Sequence, residues 1–170
     1  MIKFLLGLII GLCVIPAAGF MYLRLGLAPV ATSAPAMPFE KRLARMALHA
    51  RMSKEAPAQT PMAASADNLA AGARIYREHC AYCHGIGGQA ETNSPKGMFP
   101  HPPQLFKGKG VTDDPAGEIY WKTANGIRLT GMPGYRKTLT EDQMWQVSLM
   151  LVHAHELPAP VKDLLAKPAR

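Results

Sequence analysis

The longest apolar run lies at the N-terminus. Phe4 to Leu23 is 20 residues without a charge, with Lys3 before it and Arg24 after it. At ~1.5 Å rise per residue the run spans ~30 Å, the thickness of a bilayer core, and predicts a transmembrane helix within residues 1–24. Pro16 sits inside it, which membrane helices tolerate better than soluble ones. The competing reading is a cleaved signal peptide, with Leu5 to Val14 as its apolar region and Ala17-Ala18-Gly19 as its cleavage site. The run continues through Phe20, Met21 and Leu23, which favours a retained anchor. Cys13 follows Leu12 rather than a small residue and reads as a buried apolar thiol, not a lipid-attachment site.

Beyond Arg24 the pattern breaks. Residues 25–64 form a linker, with Pro29, Pro35 and Pro38 making its first part a semi-rigid spacer. Within it Phe39, Leu43, Met46 and Ala50 fall at helical spacing, with Lys41, Arg42, Arg45 and Arg51 mostly on the other face. Such a basic amphipathic segment, 39–54, suits a membrane surface or a partner, or an arm packed on the following domain. Pro57 and Pro61 mark a second linker, from Ala56 to Ala64.

Three helices are predicted between residues 65 and 157. Ser65 or Asp67 caps the first, in which Leu69, Gly72, Ala73, Tyr76 and Cys80 recur at three- and four-residue steps. Gly72 costs up to about 1 kcal/mol of helix propensity, which a close crossing by another helix would explain. The second runs from Pro115 to Ala124, with Asp114 as cap, Pro115 at its first position and Asn125-Gly126 as its stop. The third opens on a capping box, Thr140 with Gln143, and a staple of Leu139 and Met144. Its apolar stripe is Met144, Trp145, Ser148, Leu149 and Val152. The intervening chain is rich in Gly and Pro, and no convincing strand is present. Residues 158–170 read as a C-terminal tail.

Charge divides the chain. Residues 65–157 hold nine Lys/Arg and nine Asp/Glu, so the net +7 belongs to the preceding arm and the tail. No basic groove interleaved with aromatics is present, so nucleic acid is not expected as a partner.

The chemistry concentrates in Cys80-Ala81-Tyr82-Cys83-His84, a C-x-x-C-H sequence. Two thiols at this spacing fit one helical turn and can each add across a porphyrin vinyl group. The following imidazole then reaches the iron, which is the attachment pattern of one covalent c-type haem. A zinc site would need a second Cys/His pair at ligand spacing, and Cys13 is the other cysteine. A thiol redox pair needs no following His and belongs in a βαβ pattern, which is absent. Of the ten methionines, Met132 in Gly131-Met132-Pro133-Gly134-Tyr135 is the leading axial ligand and Met98 the alternative. Met144 and Met150 read as core. His79 reads as surface, and His153 and His155 as cations at a helix end. Arg128 reads either as a partner for a haem propionate or as plain surface. Tyr135 and Trp121 read as packing against haem or core.

Residues from about Ala66 to Leu157 resemble class I monohaem cytochromes c. The resemblance is carried by Gly72 and Tyr76, Cys80-x-x-Cys83-His84-Gly85, Pro103-Gln104-Leu105, Asn125-Gly126, Gly131-Met132-Pro133-Gly134 and Trp145. It implies an all-α fold of three to four helices around the haem, with the first and last helices crossing near Gly72, Tyr76 and Trp145. It implies that a proline carbonyl, Pro103 or else Pro102, accepts the proton of His84, and that Leu105 belongs to the haem surroundings. His101 before the double proline departs from the pattern.

His/Met ligation leaves no open iron position, so the expected role is electron transfer and not enzymatic catalysis. The expectation is a carrier anchored in the inner membrane of a bacterium, with the haem domain in the periplasm and respiratory complexes as redox donor and acceptor. The side of the membrane follows from the resemblance, since the charges flanking the anchor nearly balance and the basic stretch beyond Arg24 argues mildly the other way. The alternatives are a haem subunit of a larger membrane oxidoreductase, and a sensor or peroxidase-like protein with an open site.

Overall fold

The computed structural model describes residues 1–106 and 113–167, and among them the regular structure is entirely helical. The chain divides into two units, 1–40 and 41–170.

In the first unit, helix α1 (Ile2–Arg24) has a mean hydropathy of 2.4 over its most apolar window. None of its residues is buried, Cys13 included. Its length and composition suffice to cross a bilayer.

The second unit is built on helix α3 (Ala66–His79) and helix α7 (Glu141–Val152). Ser65 starts α3, its hydroxyl accepting from the Asn68 amide at 3.2 Å. Thr140 and Gln143 close the expected capping box on α7. The two helices cross at Gly72, where a Cβ would collide with the Gln146 carbonyl. A side chain there would force the pair apart, so the missing Cβ sets the distance of approach. Helix α6 (Ala116–Asn125) packs on α7 through Tyr120, stacked on Trp145 with ring centres 4.2 Å apart. Pro115, not Asp114, is the cap of α6. The Asp114 carboxylate is taken instead by Lys122, at 2.5 Å.

Two further helices complete the unit, together with the single-turn helices α4 (Ala81–His84) and α5 (Asn93–Lys96). The last, α8 (Ala159–Ala166), lies where a tail was expected. Its Val161 and Leu165 are buried in the same core as α3 and α7. The spacing of Val161, Leu164 and Leu165 carries this signal, but the segment is short and begins at Pro158. Helix α2 (Glu40–Glu55) forms over the basic segment, with its faces opposite to expectation. Leu43 and Met46 are exposed, whereas Met52 is 1% exposed and Leu48 half-buried. Leu48 and Met52 make a narrower stripe than Leu43, Met46 and Ala50, yet tertiary contact selects them.

Candidate functional site

Helix α3 delivers the chain into the C-x-x-C-H turn. The amide of Cys80 still bonds to Tyr76 O, and those of Cys83 and His84 to Cys80 O at 3.2 and 2.9 Å. Two phenols bracket this turn. Tyr135 donates to His79 O at 2.8 Å and Tyr76 to Gly85 O at 2.6 Å. Tyr76 is itself wedged in the core, edge-on to Phe106.

His84 Nδ1 lies 2.8 Å from Pro103 O. A carbonyl only accepts, so Nδ1 carries the proton and Nε2 keeps its lone pair for a metal. The bond falls on Pro103 rather than Pro102. Burial holds the His84 pKa below its ordinary value, which also favours the neutral, ligating form; the carbonyl bond opposes that shift. Gln104 Nε2 holds Cys83 O at 3.2 Å, and Leu105 N bonds to His84 O at 3.3 Å. The Pro103–Leu105 segment thus fixes the far side of the turn.

Cys80, Cys83 and His84 open onto a cavity of about 370 Å³. Pro103, Leu105, Ile119, Val147 and Leu151 form part of its apolar wall, and Met132 and Tyr135 also line it. The Met132 loop is pinned to α6. Ile127 N bonds to Met132 O at 3.2 Å, Met132 N to Thr130 Oγ1 at 3.1 Å, and Tyr135 N to Thr123 O at 2.9 Å. Gly126, with φ of +66°, ends α6, and a Cβ on it would meet Pro133 and Gly134. Gly126 therefore lets the loop fold back on the helix end.

The cavity therefore brings together two thiols one turn apart, a neutral imidazole with a fixed tautomer, a thioether and an apolar wall. This donor set fits a covalent haem. Among the described residues no cluster of three His, Cys, Asp or Glu side chains is placed to hold a metal ion.

The other candidates divide between the cavity wall and the surface. Arg128 is exposed and absent from the cavity wall, because it sits on a turn closed by Thr130 N to Ile127 O at 3.2 Å. His79 lines the cavity instead of facing solvent, edge-on to Tyr135 at 5.7 Å. Met98 lines it too, so both thioethers considered from the sequence border one space. Trp121 is half-buried and donates to Glu55 Oε2 at 3.1 Å. Arg45, Leu48 and His49 of α2 also reach the cavity. Their signal was the Leu48–Met52 pair with Arg45 on the same face, which the more apolar stripe beside it outweighed.

Residues 67–149 match the family model described as cytochrome c oxidase, cbb3-type, subunit III. A chain in the Kuenenia stuttgartiensis reducing HAO-like protein complex is similar in structure, with a TM-score of 0.47 and 25% identity. That similarity covers 54% of this chain and 46% of the other, so the chain spans under half of that relative's length. No curated protein matches.

Proposed function

We propose that the chain is a membrane-anchored carrier of single electrons through a His84/Met132-ligated haem, a reading supported by the match of residues 67–149 to a cytochrome family model. The observation that carries this reading is the shared cavity. His84, with Nε2 left free by its bond to Pro103, and Met132, on a loop pinned to α6, border the same space. A covalent haem supplies an iron that changes by one electron.

The chain's own residues do the rest. Cys80 and Cys83 hold the ring through thioether bonds, and Pro103 orients the imidazole and raises its basicity. Met132 supplies a soft sixth ligand that raises the potential relative to a second imidazole. Ile119, Val147 and Leu151 keep water from the cavity wall. Two protein ligands leave no position for a substrate, which makes the chain a carrier rather than an enzyme. Helix α1 anchors it in the inner membrane of a bacterium, with the haem domain in the periplasm and respiratory complexes as donor and acceptor.

The matched family is named for an oxidase subunit, and this favours a second reading, a haem subunit held permanently in a membrane oxidoreductase. The ligand chemistry is common to both.

The test uses the full chain with haem attached. Ferric protein is expected to show a methionine–iron charge-transfer band in the near infrared that Met132→Ala abolishes, and the reduced parent is expected to ignore carbon monoxide. A band that persists in Met132→Ala and disappears in Met98→Leu would move the ligand to Met98. Ready carbon monoxide binding by the parent would sink the carrier reading and favour an open-site sensor or enzyme.

A further inference from the structure

Helix α2 lies outside the segment that matches the cytochrome family, yet it forms part of the cavity wall. Several contacts hold it there. Met52 is 1% exposed, and Glu55 accepts from Trp121 Nε1 at 3.1 Å. Lys41 Nζ lies over the Phe99 ring, 5.5 Å from its centre. Immediately after the helix, the Pro57 carbonyl occupies the place a Cβ on Gly117 would take. These partners belong to the loop after the C-x-x-C-H turn and to α6, so α2 is tied to two sides of the cavity.

The wall it provides is charged. Arg45 lines the cavity with Leu48 and, one turn on, His49. A haem would bring two propionate carboxylates, and Arg45, though exposed to solvent, stands on the wall where charge-assisted bonds to one of them could form. Most other basic groups on the wall are engaged. Lys122 holds Asp114 at 2.5 Å, His101 Nε2 meets Glu91 at 2.6 Å, and His79 packs edge-on to Tyr135 with Glu78 3.9 Å away. Among the described residues Arg45 is the one arginine on the wall, and no carboxylate forms an ion pair with it. Its planar fork matches a carboxylate in two parallel bonds.

We propose that α2 is a built-in wall of the haem cavity and that the Arg45 guanidinium binds a haem propionate. The proposal rests on the covalent-haem reading. It makes Arg45 a positioning residue supplied from outside the cytochrome domain proper, in the role the sequence suggested for Arg128. A guanidinium beside a propionate also offsets that carboxylate's stabilisation of ferric iron.

The experiment compares full-length holoprotein with Arg45→Gln, Arg45→Lys and Arg42→Gln, the last removing the same charge one turn earlier on the same helix, from a residue that does not line the cavity. Arg45→Gln is expected to shift the reduction equilibrium toward ferric roughly three- to tenfold, tenfold being ~59 mV for one electron. Arg45→Lys should recover much of the shift, and Arg42→Gln should leave it near the parent. With haem carrying labelled carboxyl carbons in its propionates, the redox-difference infrared spectrum should change in Arg45→Gln and stay unchanged in Arg42→Gln. Arg45→Gln and Arg42→Gln behaving alike in both measurements would overturn the proposal while the haem reading stood. A parent chain without covalently bound haem would remove both.

Discussion

At the scale of single residues the site separates into what sequence spacing reveals and what it hides. Cys80, Cys83 and His84 are legible because their chemistry depends on neighbours along the chain, one helical turn apart. Met132 borders the cavity on the irregular Gly131-Met132-Pro133-Gly134 loop that singled it out in the sequence, and its ligation is the proposal. Arg45, His49 and His79 were not legible, since their place on the cavity wall depends on which face of α2 turns inward and how α3 ends. The thiols also carry a pH signature. Burial, with Cys83 alongside, pushes the Cys80 thiol from 9.0 up to about 12. Before haem attachment the folded chain therefore keeps a proton there that the unfolded chain releases above pH 9.0. The unfolded state binds fewer protons in that window, so stability falls as pH rises through it and levels off near 12. Burial also raises Tyr76 and Tyr135, whose contributions have the same sign. A thioether has no proton to lose, so attachment removes the Cys80 contribution and keeps those of the phenols. Denaturant titrations at about pH 8 and about pH 10.5 should show the haem-free chain losing up to about 2 kcal/mol more than the loaded one. Equal losses would mean that Cys80 is not shielded.

At the scale of elements, the strongest sequence signals were ends and crossings. The Thr140 capping box, the Ser65 cap and the close approach at Gly72 all follow from local or pairwise chemistry that a few residues specify. The inward face of α2 and the docking of α8 do not. An amphipathic stripe shows that a helix has an apolar face, but the partner surface decides whether that face is used. At Leu43 and Met46 it is not, and Leu48 and Met52 take the inner position. The α3–α7 crossing gives a sharp prediction. Gly72→Val puts a branched side chain against the Gln146 carbonyl and Met150, and should destabilise the loaded protein by about 3 kcal/mol, read as a lower denaturant midpoint. A midpoint within about 0.5 kcal/mol of the parent would show that the helices can separate at little cost.

At the scale of the whole molecule, the all-helical fold follows from the sequence because each long helix has its own periodicity and the Gly/Pro-rich connections contain no strand pattern. Residues 107–112, which carry Lys107 and Lys109, lie outside the described part of this plan. Function at this scale depends on association. A free carrier meets its partners transiently, whereas a subunit shares one large interface with them. Extraction of the native membrane in mild detergent should leave the free carrier as a single small haem protein. Stoichiometric copurification with other redox subunits through a high-salt wash would establish the subunit reading instead.

The two phenols on either side of the C-x-x-C-H turn bear on how the haem arrives. Tyr135 holds the carbonyl before the first cysteine and Tyr76 the carbonyl after the histidine. The turn is therefore shaped by bonds within the chain, and those bonds offset part of the entropy cost of ordering it. A haem bound at such a turn would need to supply less of that ordering free energy. The same bonds confine the thiols to one arrangement. Thioether formation would then require access to cysteines that the folded chain already holds in place.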